Sequence, residues 1–241
     1  MCLCYFYNMN KNLFELSYTV RKDFEKKVTF VSFYVICIFI VLNLLLTFVV
    51  FPVRTESLSM APDSSEGTCV LCSPLKRSLS RGDVVLVASP FVQPASIPVR
   101  VADVFVRFFT AQQFSVITGR KNMGANPCLR RIVGLPGDTL YMRDYVMYVK
   151  PAGSDYFLTE FELVKKPYNV SIMAAPALWD SSMGVCGSFD EVTLSDGEYF
   201  VLGDYRNSSV DSRLTGYVSE KNIKAAAFAT YFPLSRFKLY F

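Results

Sequence analysis

A pair of serines in the stretch "ESLSMAPDSS" (56–65) is the first candidate for chemistry. Ser57 and Ser59 stand two residues apart, just ahead of Met60 and Pro62. A serine hydroxyl is a weak nucleophile until a base takes its proton. The chain of 241 residues has no histidine, which excludes Ser-His-Asp and Cys-His hydrolase chemistry and most zinc hydrolases. The base would have to be a lysine, a carboxylate or a terminal amine.

Two further polar blocks could supply partners for the serines. The first is "CLRRIVGLPGDTL" (128–140), in which Arg130 and Arg131 precede a β-branched run and a Pro-Gly-Asp turn. The second is "GDYRNSSVDSRLTGYV" (203–218), which interleaves acids, bases and a serine. Its polar residues of interest are Asp204, Arg206, Ser209, Asp211 and Arg213. A polar turn with solvated charges is the alternative interpretation of this second block.

One long apolar stretch must position these blocks relative to a membrane. Residues 28–51 contain no charged residue, and a helix of this length would be about 36 Å long, enough to cross a hydrocarbon core of about 30 Å. A cleavable signal peptide is the competing interpretation. Its apolar core would be shorter, begin nearer the N-terminus and end at small residues. The stretch therefore predicts a permanent transmembrane helix.

Flanking charges predict the orientation of this helix. The basic residues before it are Lys11, Arg21, Lys22, Lys26 and Lys27. After it, Arg54 is soon followed by Glu56. The positive-inside rule then predicts a cytoplasmic N-terminal segment at 1–27, a transmembrane helix at 28–51 and an extracytoplasmic domain at 52–241.

The extracytoplasmic part has the pattern of short strands and turns. "RGDVVLVAS" (81–89) predicts a turn and a strand, and "PGDTLYMRDYVMYVK" (136–150) predicts a hairpin about its central Arg-Asp. "DEVTLSDGEYFVLGD" (190–204) repeats the scheme about an Asp-Gly turn. Such a series favours a mainly β domain, interrupted by insertions at 90–127 and 151–189.

The first insertion contains a predicted helix at 97–114, "IPVRVADVFVRFFTAQQF". Val101, Phe105 and Phe108 recur there at roughly helical spacing. The helix could pack on the sheet, or its aromatic face could rest on the membrane near the anchor. Both interpretations stay open.

Taken in order, the Ser-x-Ser-Met-x-Pro block, "RGDVVLV", "RRIVGLPGD" and "GDYRNSSVDSRLTGYV" resemble the type I signal peptidases. These are membrane-anchored serine proteases that remove signal peptides from exported proteins. Agreement of several motifs in order and spacing favours one shared site over a solvated charge cluster. The resemblance implies an antiparallel β domain with an apolar, lipid-contacting surface behind a single N-terminal transmembrane helix. It also implies extended preprotein substrates with small residues at Ala-x-Ala type sites, bound by pairing with a strand edge.

The resemblance also implies roles for individual residues. Ser59 matches the nucleophile, and Ser57 matches a serine whose hydroxyl joins the Ser59 backbone N–H in an oxyanion hole. Ser209 matches the serine that orients the general base by a hydrogen bond. The residues with implied structural roles near the site are Arg131, Asp204, Arg206, Asp211 and Arg213, the last two as an ion pair.

The chain departs from the family pattern at residue 130. The family has Lys-Arg before "GLPGD", with the lysine as general base, whereas this chain has Arg130-Arg131. Burial can lower the pKa of a lysine from about 10.4 by roughly 3–5 units, close to neutrality. The pKa of an arginine side chain starts far above that of lysine, so removing its proton at pH 7 would cost about 7–9 kcal/mol. Arg130 is therefore expected to remain a cation where the base should be.

Three interpretations of this departure stay open. The protein could be a working peptidase with a base from elsewhere, such as Lys121, Asp204 or Asp211. It could be a pseudo-protease that keeps the fold and the peptide groove and uses Arg130 as a fixed donor to the nucleophile and Ser209. The arginine could also be a local variant, since Lys and Arg codons differ by one base. The presence of all three site serines favours an active enzyme.

Composition narrows the partners. The net charge of +4 is modest and forms no basic face, so nucleic acid is not expected. No cofactor or metal is expected, because the Cys69-x-x-Cys72 pair lacks two further zinc ligands. Small buried cysteines are favoured there over a disulfide.

The expected partners are preprotein signal peptides and membrane lipid, with the protein itself a monomer. The expected location is the bacterial cytoplasmic membrane, with the domain on its outer face, and the mitochondrial inner membrane is the alternative. A structural or assembly subunit of a membrane complex is the alternative of a different functional class.

Overall fold

The structure is a computed structural model that describes residues 2–76, 78–88, 96–110, 116, 128–173 and 186–240, with the backbone alone at 2–17, 19 and 47. The chain divides into two compact units, one up to Leu45 and one from Leu46 onward. The helices are α1 (Cys2–Phe48), α2 (Ile97–Phe109) and α3 (Ser212–Thr215). The strands are β1 (Phe51–Arg54), β2 (Cys69–Ser73), β3 (Val84–Val87), β4 (Cys128–Gly134), β5 (Thr139–Arg143), β6 (Val146–Lys150), β7 (Leu158–Thr159), β8 (Phe189–Thr193), β9 (Glu198–Leu202), β10 (Val218–Ser219), β11 (Ile223–Phe232) and β12 (Lys238–Leu239).

The first unit is the long helix α1. Its stretch Val20–Leu46, 27 residues with a mean hydropathy of 2.6, is long and apolar enough to cross a membrane. Its apolar side chains face outward, as Phe30 and Ile38 do. The helix ends at Phe48, three residues before the predicted end at 51, and Phe51 instead opens β1. Pro52 explains the difference, because the residue before a proline is disfavoured in the α conformation.

The second unit is built from two antiparallel sheets. The larger has the strand order β1-β2-β11-β3-β4-β9-β10, with β12 also paired to β11, and the smaller has the order β7-β6-β5-β8. Strand β3 is buried on both faces because all four of its residues are apolar. Val84 and Leu86 pack into one hydrophobic cluster, whereas Val85 and Val87 pack into another. The predicted mainly β class is confirmed.

The hairpin predicted at 136–150 is confirmed as β5 and β6, which pair from Thr139↔Lys150 to Arg143↔Val146. Its turn residues Asp144 and Tyr145 have φ of 50° and 65°, the left-handed values that a two-residue hairpin turn needs.

The second predicted hairpin, at 190–204, is wrong in its pairing. The strands β8 and β9 flank the Asp-Gly turn, but β8 pairs with β5 and β9 pairs with β4. The turn at Gly197, with φ of 74°, therefore carries the chain from one sheet to the other.

The two insertions are partly described. Helix α2 lies where a helix was predicted, although residues 111–114 of that prediction are outside the described residues. The stretch from 151 to 173 is mostly irregular and contributes the short β7. Cys69 and Cys72 lie on β2 as free thiols, and burial raises the pKa of Cys72 to about 12.

Candidate active site

Ser59 lies in a tight turn between β1 and β2. The backbone N–H of Ala61 donates to the Leu58 carbonyl at 2.8 Å and closes the turn. The neighbouring Met60 is 2% exposed and packs into the core. This anchor fixes the turn, and the Ser59 side chain itself is largely buried.

The hydroxyl of Ser57 is in direct contact with that of Ser59. Their Oγ atoms are 2.8 Å apart, a hydrogen bond in which either can donate. Ser57 is exposed, so its hydroxyl can also reach a molecule that approaches from solvent. The structure thus brings together the two serines of the predicted nucleophile and oxyanion hole.

Arg130 on β4 is the second partner of Ser59. Its Nη1 donates to Ser59 Oγ at 2.9 Å and to the Leu129 carbonyl at 2.5 Å. Its Nε and Nη2 both donate to the Val210 carbonyl, at 2.9 and 2.7 Å. Arg130 is 5% exposed. The guanidinium is therefore a buried donor that ties β4 to both the serine turn and the 203–218 block.

Arg131 points to the opposite face of β4, because successive side chains of a strand alternate. Its Nε and Nη2 donate to the Asp204 carboxylate at 2.8 and 2.5 Å, and its guanidinium lies 3.9 Å from the Tyr168 ring centre. Burial lowers the pKa of Arg131, but the hydrogen bonds and charge of Asp204 outweigh it and hold that pKa above its ordinary value. Arg131 thus ties β4 to the second polar block.

Ser209 contacts Asp211 and Arg213 rather than Arg130. Its hydroxyl donates to Asp211 Oδ2 and accepts from Arg213 Nη2 at 3.1 Å. Within the described part of the chain, no hydrogen bond joins Ser209 to Arg130; the guanidinium instead reaches the carbonyl of the next residue, Val210. The role of Ser209 in orienting residue 130 stays a prediction.

Asp211 is the hub of this block. Its carboxylate accepts from Arg213 Nε and Nη2 at 2.9 and 2.7 Å and from the Gly203 N–H at 3.0 Å. Burial raises the pKa of Asp211, but Arg213, Ser209 and Gly203 together outweigh it and lower the pKa below its usual range. Asp211 therefore stays an anion in the folded protein.

Gly203 lies where the backbone of the 203–218 block approaches the serine turn most closely. A Cβ atom at this position would come within 2.4 Å of the Ser209 Cβ and 2.6 Å of the Ser59 carbonyl oxygen. Glycine is required here because the backbone approaches both serines too closely for any side chain. Tyr205, two residues on, donates its N–H to the Ser59 carbonyl at 3.0 Å.

Sequence reasoning missed the buried counter-ion of Arg206. Glu160 accepts from Arg206 at 2.8 and 2.6 Å and from the Tyr168 hydroxyl at 2.5 Å. Arg206 and Glu160 are almost fully buried. A buried arginine needs an anionic partner, and this is the signal that the sequence offers. It does not identify which acid of the irregular 151–173 stretch is that partner.

Of the candidate bases from elsewhere, the two that the structure describes, Asp204 and Asp211, are held by other partners. Asp204 is engaged by Arg131, and Asp211 by Ser209, Gly203 and Arg213. Lys121 lies outside the described residues. Among the described side chains, the hydrogen-bond partners of Ser59 Oγ are Ser57 and Arg130.

This arrangement can hold negative charge on an oxygen. Ser57, the Ser59 backbone N–H and the Arg130 guanidinium are donors, and a cation beside an oxyanion stabilises it strongly in a site with little water. Arg130 cannot take a proton from Ser59, because a guanidinium has donors and no acceptor. The described side chains are therefore suited to stabilising an acyl-transfer intermediate, and Arg130 is not the group that accepts the Ser59 proton.

Comparison of the sequence with known proteins identifies relatives in the signal peptidase family. The model described as "Signal peptidase, peptidase S26" matches residues 27–232. Signal peptidase I of Bacillus licheniformis is 29% identical over 112 residues, which cover 46% of this chain and 53% of that protein. Signal peptidase I of Streptococcus pneumoniae is 26% identical over 150 residues, which cover 54% of this chain and 73% of that protein. The chain spans about half the length of the Bacillus relative.

Among solved structures, a signal peptidase I from Enterococcus faecalis covers 62% of this chain and 97% of its own. The two are 20% identical, with a TM-score of 0.29.

Proposed function

Because the chain belongs to the signal peptidase family, peptidase S26, we propose that it is a membrane-bound serine endopeptidase that removes signal peptides from exported preproteins. Cleavage after small residues, at Ala-x-Ala type sites, is part of the proposal. The observation that carries it is the contact of Ser59 Oγ with Ser57 at 2.8 Å and with Arg130 at 2.9 Å.

In this function Ser59 Oγ attacks the scissile carbonyl, the C–N bond then breaks, and the leaving amine takes its proton from the group that accepted the Ser59 proton. Water then hydrolyses the acyl-enzyme. The oxygen that becomes negative would be held by the Ser59 N–H and the Ser57 hydroxyl, and each such donor is worth about 3–4 kcal/mol of transition-state stabilisation. Arg130 would add a fixed positive charge next to the Ser59 oxygen. The proton of Ser59 must then leave to a group other than Arg130, either Lys121 or hydroxide from solvent.

The burial of the ion pairs supports a rigid site. Arg131 with Asp204 and Arg213 with Asp211 are bidentate pairs. The first fixes β4 to the 203–218 block, and the second braces that block internally. Catalytic groups must be held within a fraction of an ångström, and such support serves that need. The proposed role of these four residues is positioning.

The proposed topology follows from α1. The basic residues before residue 28 favour a cytoplasmic N-terminus, so the β domain would face the outer side of the cytoplasmic membrane. Protease treatment of intact spheroplasts tests this orientation: digestion of the domain is expected, and protection of it would reverse the topology.

A second function is favoured by Arg130 itself. A permanent cation in the base position is the departure that a pseudo-protease would show, and the protein would then bind signal peptides without cleaving them. Binding of an Ala-x-Ala peptide to the site would persist in this case.

One experiment separates the two functions. The purified full chain in detergent is incubated with a preprotein that has an Ala-x-Ala site, alongside Ser59→Ala. Cleavage that is lost in Ser59→Ala supports the peptidase. Peptide binding of equal strength in both proteins, with no cleavage in either, supports the binding function, and neither binding nor cleavage contradicts both.

A further inference from the structure

Helix α2 exposes its apolar side. Val104 is 66% exposed and Phe109 is 71% exposed. The exposed apolar residues of the helix are Ile97, Val99, Val101, Val104, Phe105 and Phe109. At 100° per residue, most of these positions fall on one broad face. An apolar face of this kind in water marks a site of interaction.

The one buried residue of α2 is polar. Asp103 is 5% exposed; it pairs with Arg107 Nε at 2.8 Å and accepts the Val116 N–H at 2.5 Å. A surface helix of a soluble domain buries its apolar face and exposes its charges. Helix α2 instead leaves most of its apolar residues exposed and buries Asp103, so its exposed face suits an apolar environment.

The area of this face argues against a second copy as its occupant. A helix of 13 residues is about 20 Å long and about 10 Å wide. A stable protein interface buries about 800 Å² on each partner, several times the footprint of that face. A lipid surface has no such threshold, because interfacial binding grows steadily with the apolar area inserted.

The connection between α1 and the β domain indicates that lipid is close to α2. Helix α1 contains the candidate span, and β1 begins three residues after α1 ends. If α1 crosses a bilayer, the β domain is tethered at its surface, where α2 meets lipid at a high effective concentration. The exposed Arg100 adds a cation suited to headgroup phosphates.

We propose that α2 lies in the membrane interface with its apolar face against lipid acyl chains. The inference depends on α1 as the anchor and not on catalysis. It also selects between the two interpretations that the sequence left open for this helix.

Tryptophan quenching in nanodiscs tests the proposal on the full chain. Trp179→Phe removes the one native tryptophan, and Phe105→Trp or Phe109→Trp then reports from α2. The matched control is Tyr156→Trp, an aromatic residue that is 77% exposed and lies between β6 and β7. Brominated phospholipids quench a tryptophan that contacts acyl chains.

Both α2 probes are expected to lose most of their emission in brominated discs, whereas the Tyr156→Trp signal stays close to its value in ordinary lipid. Quenching at neither α2 position beyond that of the control would overturn the proposal. Emission that changes with the protein-to-lipid ratio, without quenching by bromine, would overturn it in favour of a second copy. A cleavage assay on the same samples distinguishes this outcome from failure of the proposed peptidase.

Discussion

Arg130 donates a hydrogen bond from Nη1 to the Oγ of Ser59 across 2.9 Å. The serine oxygen therefore accepts from a cation at the point where a peptidase of this kind needs an acceptor. This contact stabilises negative charge on the oxygen but gives its proton no destination. Replacing Arg130 by lysine separates these two properties, charge stabilisation and proton removal.

Arg130→Lys is expected to raise cleavage activity. A buried lysine can lose its proton near neutral pH, and a positioned general base contributes about 10²–10⁴-fold to rate. The measurement is kcat/KM for the preprotein between pH 6 and 9 in both proteins. We expect the lysine variant to level off above an apparent pKa and the parent protein to keep rising with hydroxide.

Two variants control this experiment. Arg130→Gln removes the charge without adding a base, so it should show no gain. Arg131→Lys alters the neighbouring ion pair instead and should not increase activity. A lysine variant at 130 no faster than Arg130→Gln would mean that the base lies elsewhere.

Ser57→Ala is expected to lower kcat by about 10²–10³-fold, the usual effect of removing one oxyanion-hole donor. Its hydroxyl lies 2.8 Å from Ser59 Oγ, and the loss should fall on kcat rather than on KM because the donor acts in the transition state. Ser57→Thr keeps the hydroxyl and should recover much of the rate. Equal losses in the two variants would assign Ser57 a structural role instead.

Glu160→Gln is expected to destabilise the β domain by about 3–5 kcal/mol, because it leaves Arg206 buried without a full counter-charge. Urea unfolding of the full chain in detergent, followed by the loss of β circular dichroism, measures this change. The control is Asp190→Asn, which breaks the exposed Arg143–Asp190 pair and should change the midpoint little. Similar midpoints for the two variants would contradict a structural role for the buried pair.

The lowered pKa of Asp211 predicts how stability depends on pH. A carboxyl whose pKa is lower in the folded protein stabilises it fully above the ordinary aspartate value of about 3.9 and loses this effect as pH falls through the lowered value. The difference in unfolding free energy between the parent protein and Asp211→Asn should therefore be constant above about pH 5 and shrink below about pH 4.

The same pH series on Asp190→Asn provides a control, because that carboxylate is exposed and loses only a surface pair with Arg143, which should matter little at any pH. A difference between the parent protein and Asp211→Asn that persists unchanged to pH 2 would contradict the lowered pKa as its cause.

Local patterns predicted the local parts of the fold. The hairpin about Arg143 and Asp144 was predicted correctly because its turn and its alternation lie within a few residues. The hairpin at 190–204 was not, since its two strands find partners in different sheets, and strand pairing is a property of the whole chain. Helix α2 was predicted, but its orientation was not, because spacing alone does not tell which side of a helix is covered.

The site shows the same division. The convergence of Ser59 and Arg130, 71 residues apart, followed from resemblance to a family and not from periodicity. Glu160 and Tyr168 were not predicted, because a single acid or tyrosine in an irregular stretch has no pattern. Their roles emerge only when buried Arg206 and Arg131 are seen to contact them.

The two hydrogen bonds that Arg130 donates to the Val210 carbonyl have an evolutionary consequence. A one-base codon change to lysine would supply a proton acceptor, but one ammonium cannot reproduce the planar fork of a guanidinium. The same step would release the loop that holds Ser209 from β4. A change from Arg130 to lysine would therefore gain a general base but lose rigidity in this loop. A fully efficient lysine enzyme would need a second mutation that holds the loop to β4 again.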